Sequence, residues 1–167
     1  MGNIVIRRYL ADETERQRRD REGPRIGRMV MLAPPNQGSA LADRLKGNML
    51  FRSLLGASGK QLGGAWSELE RQLAIPSFPF GIVAGNFGHG KTSNPLLDGA
   101  DDLVVSVEET KLSGADDFLV VPAAHTVIMD DPSVRKATLQ FLQHGYFASE
   151  RERQPLAEGD ERTDRSD

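Results

Sequence analysis

Three apolar runs in this chain each end in a turn, and those turns hold the residues able to do chemistry. After Phe118-Leu119-Val120-Val121 comes Pro122-Ala123-Ala124-His125-Thr126. After Phe80-Gly81-Ile82-Val83-Ala84 comes a Gly-rich loop and then Asp98, Asp101 and Asp102. After Arg28-Met29-Val30-Met31-Leu32-Ala33 comes Pro34-Pro35-Asn36-Gln37-Gly38-Ser39. A carboxylate past one strand and an imidazole past the next can work as a pair. Near neutral pH an imidazole takes a proton from a hydroxyl and later returns it to a leaving group. A carboxylate on its other ring nitrogen fixes the tautomer and stabilises the transient imidazolium. The other two histidines have plainer roles, His89 within the Gly-rich loop and His144 near a helix end.

A second motif competes for the same region. Gly85-Asn86-Phe87-Gly88-His89-Gly90-Lys91-Thr92 matches the P-loop pattern at every position. In a P-loop, backbone amides cradle phosphates, here with Lys91 on the β/γ-phosphates and Thr92 on Mg²⁺. That chemistry needs a helix opening at the Lys-Thr pair, because the helix N-terminus supplies the field. Pro95 pushes Asn94 away from helical dihedrals, and Asp98-Gly99 is another turn signal. A loop leading to the acidic residues is the simpler reading. Nucleotide binding through Gly85–Thr92 stays as the alternative.

These loops need a sheet to position them. Short continuous apolar runs suit parallel strands covered on both faces. Helices fit around them, from Ile4 to about Arg21 and within Leu41–Leu73, where Trp66, Leu69 and Leu73 have helical spacing. The last helix has the clearest signals. Asp131 is a good N-cap, Pro132 stands at the first helical position, and Gly145 suits the C-terminal cap. Val134, Ala137, Phe141 and Leu142 are expected to form its apolar stripe. The fold class is α/β, with three α/β/α layers and a mostly parallel sheet. In open parallel sheets ligands bind outside the carboxyl ends of the strands, which is where these loops lie.

Composition narrows the partners. The 167 residues carry 21 Lys+Arg and 24 Asp+Glu, a formal charge of −3, with 38% hydrophobic residues. A slight acidic balance argues against a general nucleic-acid binder. No apolar run approaches the roughly 20 residues of a membrane helix. Ile4-Val5-Ile6 is too short for a signal peptide, so a cytoplasmic location is expected. There are no cysteines and three histidines, so thiolate chemistry is excluded and a His-rich metal site is not indicated. No cofactor or metal is expected. The charge-rich stretch 148–167 is expected to be a disordered tail.

Four stretches carry a family likeness: Met1-Gly2-Asn3-Ile4-Val5-Ile6-Arg7-Arg8-Tyr9-Leu10, Met31-Leu32-Ala33-Pro34-Pro35-Asn36-Gln37-Gly38-Ser39, Val104-Val105-Ser106-Val107-Glu108-Glu109-Thr110 and Val121-Pro122-Ala123-Ala124-His125-Thr126. With the acid-then-base order, they make residues 1–147 resemble the C-terminal part of an α/β-hydrolase of the bacterial lipase/esterase-like kind. The resemblance implies a partial α/β-hydrolase fold with a helical cap-like insert at 41–74. It implies His125 as general base, Asp102 as its partner, and a small-molecule ester or lipid as substrate. It places Gly2 as the last Gly of a Gly-x-Ser-x-Gly elbow. The nucleophilic Ser would then precede Met1, whose backbone N–H would form half of the oxyanion hole. The natural product is therefore expected to be longer, or the reading frame to be mis-started, and the 167 residues alone to be inactive. Neither Ser58 nor Ser39 has the elbow pattern. At the acid the family pattern is Asn-Asp-Gly followed by aliphatics, where this chain has Asp101-Asp102-Leu103. Asp98-Gly99 competes for that role, and Asp102 is preferred because Leu103-Val104-Val105 follows it directly. A non-catalytic hydrolase remnant, binding a partner through its exposed sheet edge, is the third reading.

Overall fold

The computed structural model describes residues 2–20, 26–39, 66–87, 96–97 and 99–157. Three strands, β1 (Met29–Leu32), β2 (Phe80–Gly85) and β3 (Asp117–Val121), form a parallel sheet in the order β1-β2-β3. β1 pairs from Met29↔Phe80 to Leu32↔Val83, and β3 from Gly81↔Asp117 to Gly85↔Val121. The central strand is buried at every position, as its unbroken apolar run requires. The chain is an α/β protein.

Alternate side chains of the strands feed two cores. Val30, Leu32, Val83, Leu119 and Val121 meet Val134, Ala137 and Phe141 of the C-terminal helix, Pro132–His144. Met31, Phe80, Ile82, Ala84 and Phe118 point the other way, toward Leu112, Ala115 and Leu156. Gly81 makes the first packing possible. A Cβ there would lie 2.7 Å from ring atoms of both Phe141 and Phe147, so a bare backbone lets that aromatic pair settle on the sheet.

Among the described residues four α-helices accompany the strands. Helix α1 (Gly2–Asp20) buries Ile4, which packs with Leu73 beside Trp66 and Leu69 of α2 (Trp66–Glu70). Trp66, Leu69 and Leu73 therefore act in packing, while residues 41–65 of the expected cap-like insert lie outside the described residues. Helix α3 (Val107–Thr110) is short, and α4 is Pro132–His144. In α4 the stripe is narrower than expected: Leu142 is 41% exposed, because one residue beyond Phe141 turns it away from the sheet. Among the described residues no helix is long and apolar enough to cross a membrane.

The ends of α4 follow their capping signals. Gly145 takes φ +88°, and its N–H reaches the Phe141 carbonyl. The Asp131 carboxylate accepts from the Ser133 and Val134 amides. The Ser133 hydroxyl, then those amides, hold the Asp131 carboxyl below its ordinary 3.8. A carboxyl whose pKa falls on folding stabilises the fold above its unfolded value. That contribution is lost as pH falls through the lower, folded value. The melting temperature of the natural chain should therefore exceed that of Asp131→Ala most clearly at neutral pH. Thermal melts across pH should show the gap narrowing as pH drops below 3.8.

One expectation needs correction. The stretch from 148, read as disordered, is held to the sheet as far as Ala157. Glu150–Glu152 forms a single 3₁₀ turn. Leu156 donates its N–H to the Ala115 carbonyl and accepts from Gly114. The buried Asp117 carboxylate accepts the amides of Phe118, Phe147 and Gln154. Composition does not reveal these ties, because most are backbone groups and one is a carboxylate at the start of β3. Residues 158–167 lie outside the described residues.

Candidate active site

The loop that follows β2 brings a carboxylate back onto the strand's end. Asp101 and Ser106 form an antiparallel bridge, and Asp102 N–H reaches the Val105 carbonyl at 3.1 Å. Between them Leu103 takes φ +79°, the left-handed region that glycine favours. Ser106 then caps α3: its hydroxyl accepts from the Glu109 amide, and the Glu109 carboxylate accepts from the Ser106 amide. That reciprocal box anchors the far side of the loop.

Asp102 is 1% exposed and fully engaged. Its Oδ1 accepts the Val104 amide at 3.0 Å and the Val105 amide at 2.7 Å. Its Oδ2 lies 2.7 Å from His125 Nδ1. The His125 amide also donates to the Asp102 carbonyl at 3.0 Å. His125 comes four residues after the last residue of β3 and leaves about a third of its side chain exposed (34%). A carboxylate facing Nδ1 makes that nitrogen the protonated one, so Nε2 is the basic nitrogen of the neutral ring. A buried, amide-held acid behind an accessible imidazole can orient that ring and stabilise its charged form.

Gly85, the last residue of β2, lets the two loops meet. A Cβ there would stand 2.5 Å from the Ala123 carbonyl oxygen and 2.7 Å from Asp102 Cβ. Beyond it, the Asn86 amide donates to Val121 and the Phe87 amide to Asp101. Residues 85–87 of the P-loop match are thus bound into this loop junction. Lys91 and Thr92 lie outside the described residues.

A polar node ties α1 to the same carboxyl end of the sheet. Asn36, just past β1 and 1% exposed, accepts at Oδ1 from Asn3 Nδ2 and from Arg7 Nη1, each at 3.0 Å. Its Nδ2 donates to the Thr110 carbonyl at 2.8 Å. The buried Arg7 also donates from Nε to the Ala74 carbonyl. The first turn of α1, the loop after β1 and the end of α3 are therefore held by one side chain. Asn36→Ala strips partners from several buried groups, and each such loss costs about 1–3 kcal/mol. Urea unfolding should show a loss of about 2 kcal/mol or more.

Of the residues singled out from sequence, the structure brings His125 and Asp102 together. Met1, Asp98, Ser58 and His89 lie outside the described residues. Ser39 is buried, and His144 stacks on Tyr146 with ring centroids 5.7 Å apart. Sequence reasoning missed Asn36 and Arg7, which look like a turn residue and a surface charge. It also missed α3, although Ser106-x-x-Glu109 is a capping-box signature.

No family model matches the sequence, and no curated protein matches it. Among solved structures, a Bacillus licheniformis lipase, BlEst2, in its propeptide form aligns with a TM-score of 0.44 at 19% identity. The alignment covers 60% of this chain and 26% of that one, so this chain spans about a quarter of that structure.

Proposed function

We propose that this chain carries the acid–base half of a serine hydrolase acting on carboxylic esters. The 2.7 Å contact between His125 Nδ1 and the buried Asp102 Oδ2 carries this reading. Asp102 holds the ring with Nε2 turned to the reaction. His125 Nε2 takes the proton of the attacking hydroxyl as its oxygen bonds to the ester carbonyl carbon. It then gives that proton to the departing alcohol oxygen as the acyl C–O bond breaks. Water repeats the two transfers and releases the acid.

The attacking hydroxyl is the Ser that the resemblance puts one residue ahead of Met1, with the Met1 N–H as one oxyanion donor. The bond from Asn3 to Asn36 supports this placement, since it sets the start of α1 at the carboxyl end of the sheet, where the loops with Asp102 and His125 also lie. Exposed Phe87, Val127 and Met129, on the loops around the pair, favour an apolar acyl group.

The test extends the chain through the in-frame codons upstream of Met1 and assays p-nitrophenyl esters. The reading predicts a Gly-x-Ser before Met1 and hydrolysis that disappears with His125→Ala. An in-frame stop immediately upstream contradicts it, as does activity indifferent to His125→Ala.

A further inference from the structure

Asp101 stands beside the proposed acid and is wholly buried, 0% exposed. Its Oδ1 accepts the Leu103 amide at 2.7 Å. Leu103 is the residue with φ +79°, a conformation costly for a residue that carries a Cβ. The two amides that follow, Val104 and Val105, are the ones that meet Asp102 Oδ1. With Oδ1 held by both, Oδ2 is left to face His125.

We infer that Asp101 is a positioning residue. By pinning the Leu103 amide it holds the left-handed turn that aims two backbone donors at one oxygen of Asp102, and so directs the other oxygen to His125. This inference rests on the base–acid reading of the pair and adds a residue that acts through it. The turn uses an aspartate's acceptor to do what a glycine at 103 would do by conformational freedom alone. Asp101 and Leu103 should therefore be coupled.

The test uses the natural chain and needs no turnover. Two signals are read by NMR: hydrogen exchange at the Val104 and Val105 amides, and the proton on His125 Nδ1. Asp101→Ala should speed exchange at both amides about tenfold or more, as lost protection of a local hydrogen bond does, and weaken the Nδ1–H signal. Asp101→Asn keeps an acceptor and should leave both signals close to those of the natural chain. Adding Leu103→Gly to Asp101→Ala should restore both. Leu103→Gly alone should leave both signals close to those of the natural chain, because glycine adopts the left-handed conformation without help. The double variant keeps the test open should Asp101→Ala fail to fold.

The outcomes separate the two ideas. A Nδ1–H signal that depends on Asp102 but ignores Asp101→Ala overturns the positioning role and leaves the base–acid pair standing. An Asp101→Ala, Leu103→Gly double variant in which neither signal recovers also overturns it. A natural chain with no such signal overturns the base–acid reading, and the positioning role with it.

Discussion

If the chain extended upstream of Met1 hydrolyses esters as proposed, Asp102→Asn should lower its kcat about ten-thousand-fold, the scale found when a triad acid loses its charge. The reason lies in how the two oxygens are used. The Val104 and Val105 amides need an acceptor, so the asparagine oxygen takes the Oδ1 position. Its NH₂ then faces His125, where a carboxylate oxygen had accepted. The ring must answer with an unprotonated Nδ1, which puts the proton on Nε2. That tautomer cannot take a proton from a hydroxyl. KM should change little, since Asp102 is buried behind the ring and touches no substrate. The fold should also survive, because the backbone bonds of the loop remain. Steady-state kinetics with a matched thermal melt separates this outcome from simple unfolding.

Gly85→Ala should cost about 3 kcal/mol of stability, at the upper end of what an extra methyl in a packed site costs. Both atoms that the new Cβ meets are poorly placed to yield. One is the Ala123 carbonyl oxygen and the other is Asp102 Cβ, at 2.5 and 2.7 Å. Relief requires the loop after β3 or the loop after β2 to move, and these carry His125 and Asp102. A displacement of about 1 Å in such a pair can cost a hundredfold in rate. Stability and activity should therefore fall together. Gly27→Ala is the control: no atom lies within 4 Å of its added Cβ, and both properties should stay near those of the unsubstituted extended chain. Urea unfolding and ester hydrolysis of the two variants check the pair of expectations.

Much of this arrangement was legible in the residues. Continuous apolar runs marked the three strands, because a parallel strand buried on both faces has no polar side to show. Asp131, Pro132 and Gly145 marked both ends of α4, because caps are local. The loops past such strands drew attention to His125 and to Asp98, Asp101 and Asp102, because ligand chemistry gathers there, and the family resemblance then preferred Asp102 among the three. Other features depend on distant partners and left little trace. Asn36 in Pro34-Pro35-Asn36-Gln37-Gly38 reads as a turn former, and only the approach of Asn3, Arg7 and Thr110 turns it into a buried node. Arg7 reads as one charge among several on α1, yet it is 2% exposed. Leu103 hides its left-handed backbone behind a side chain that does not advertise it. Helix α3 is four residues long, too short for periodicity to reveal.

The central claim is that a protonated His125 Nδ1 faces the Asp102 carboxylate in solution, and proton NMR of the folded 167-residue chain tests it most directly. The account predicts one imidazole N–H resonance, shifted downfield and protected from solvent, that persists in His144→Gln and vanishes in Asp102→Asn. A well-folded chain without that resonance, or one that keeps it after Asp102→Asn, would contradict the account.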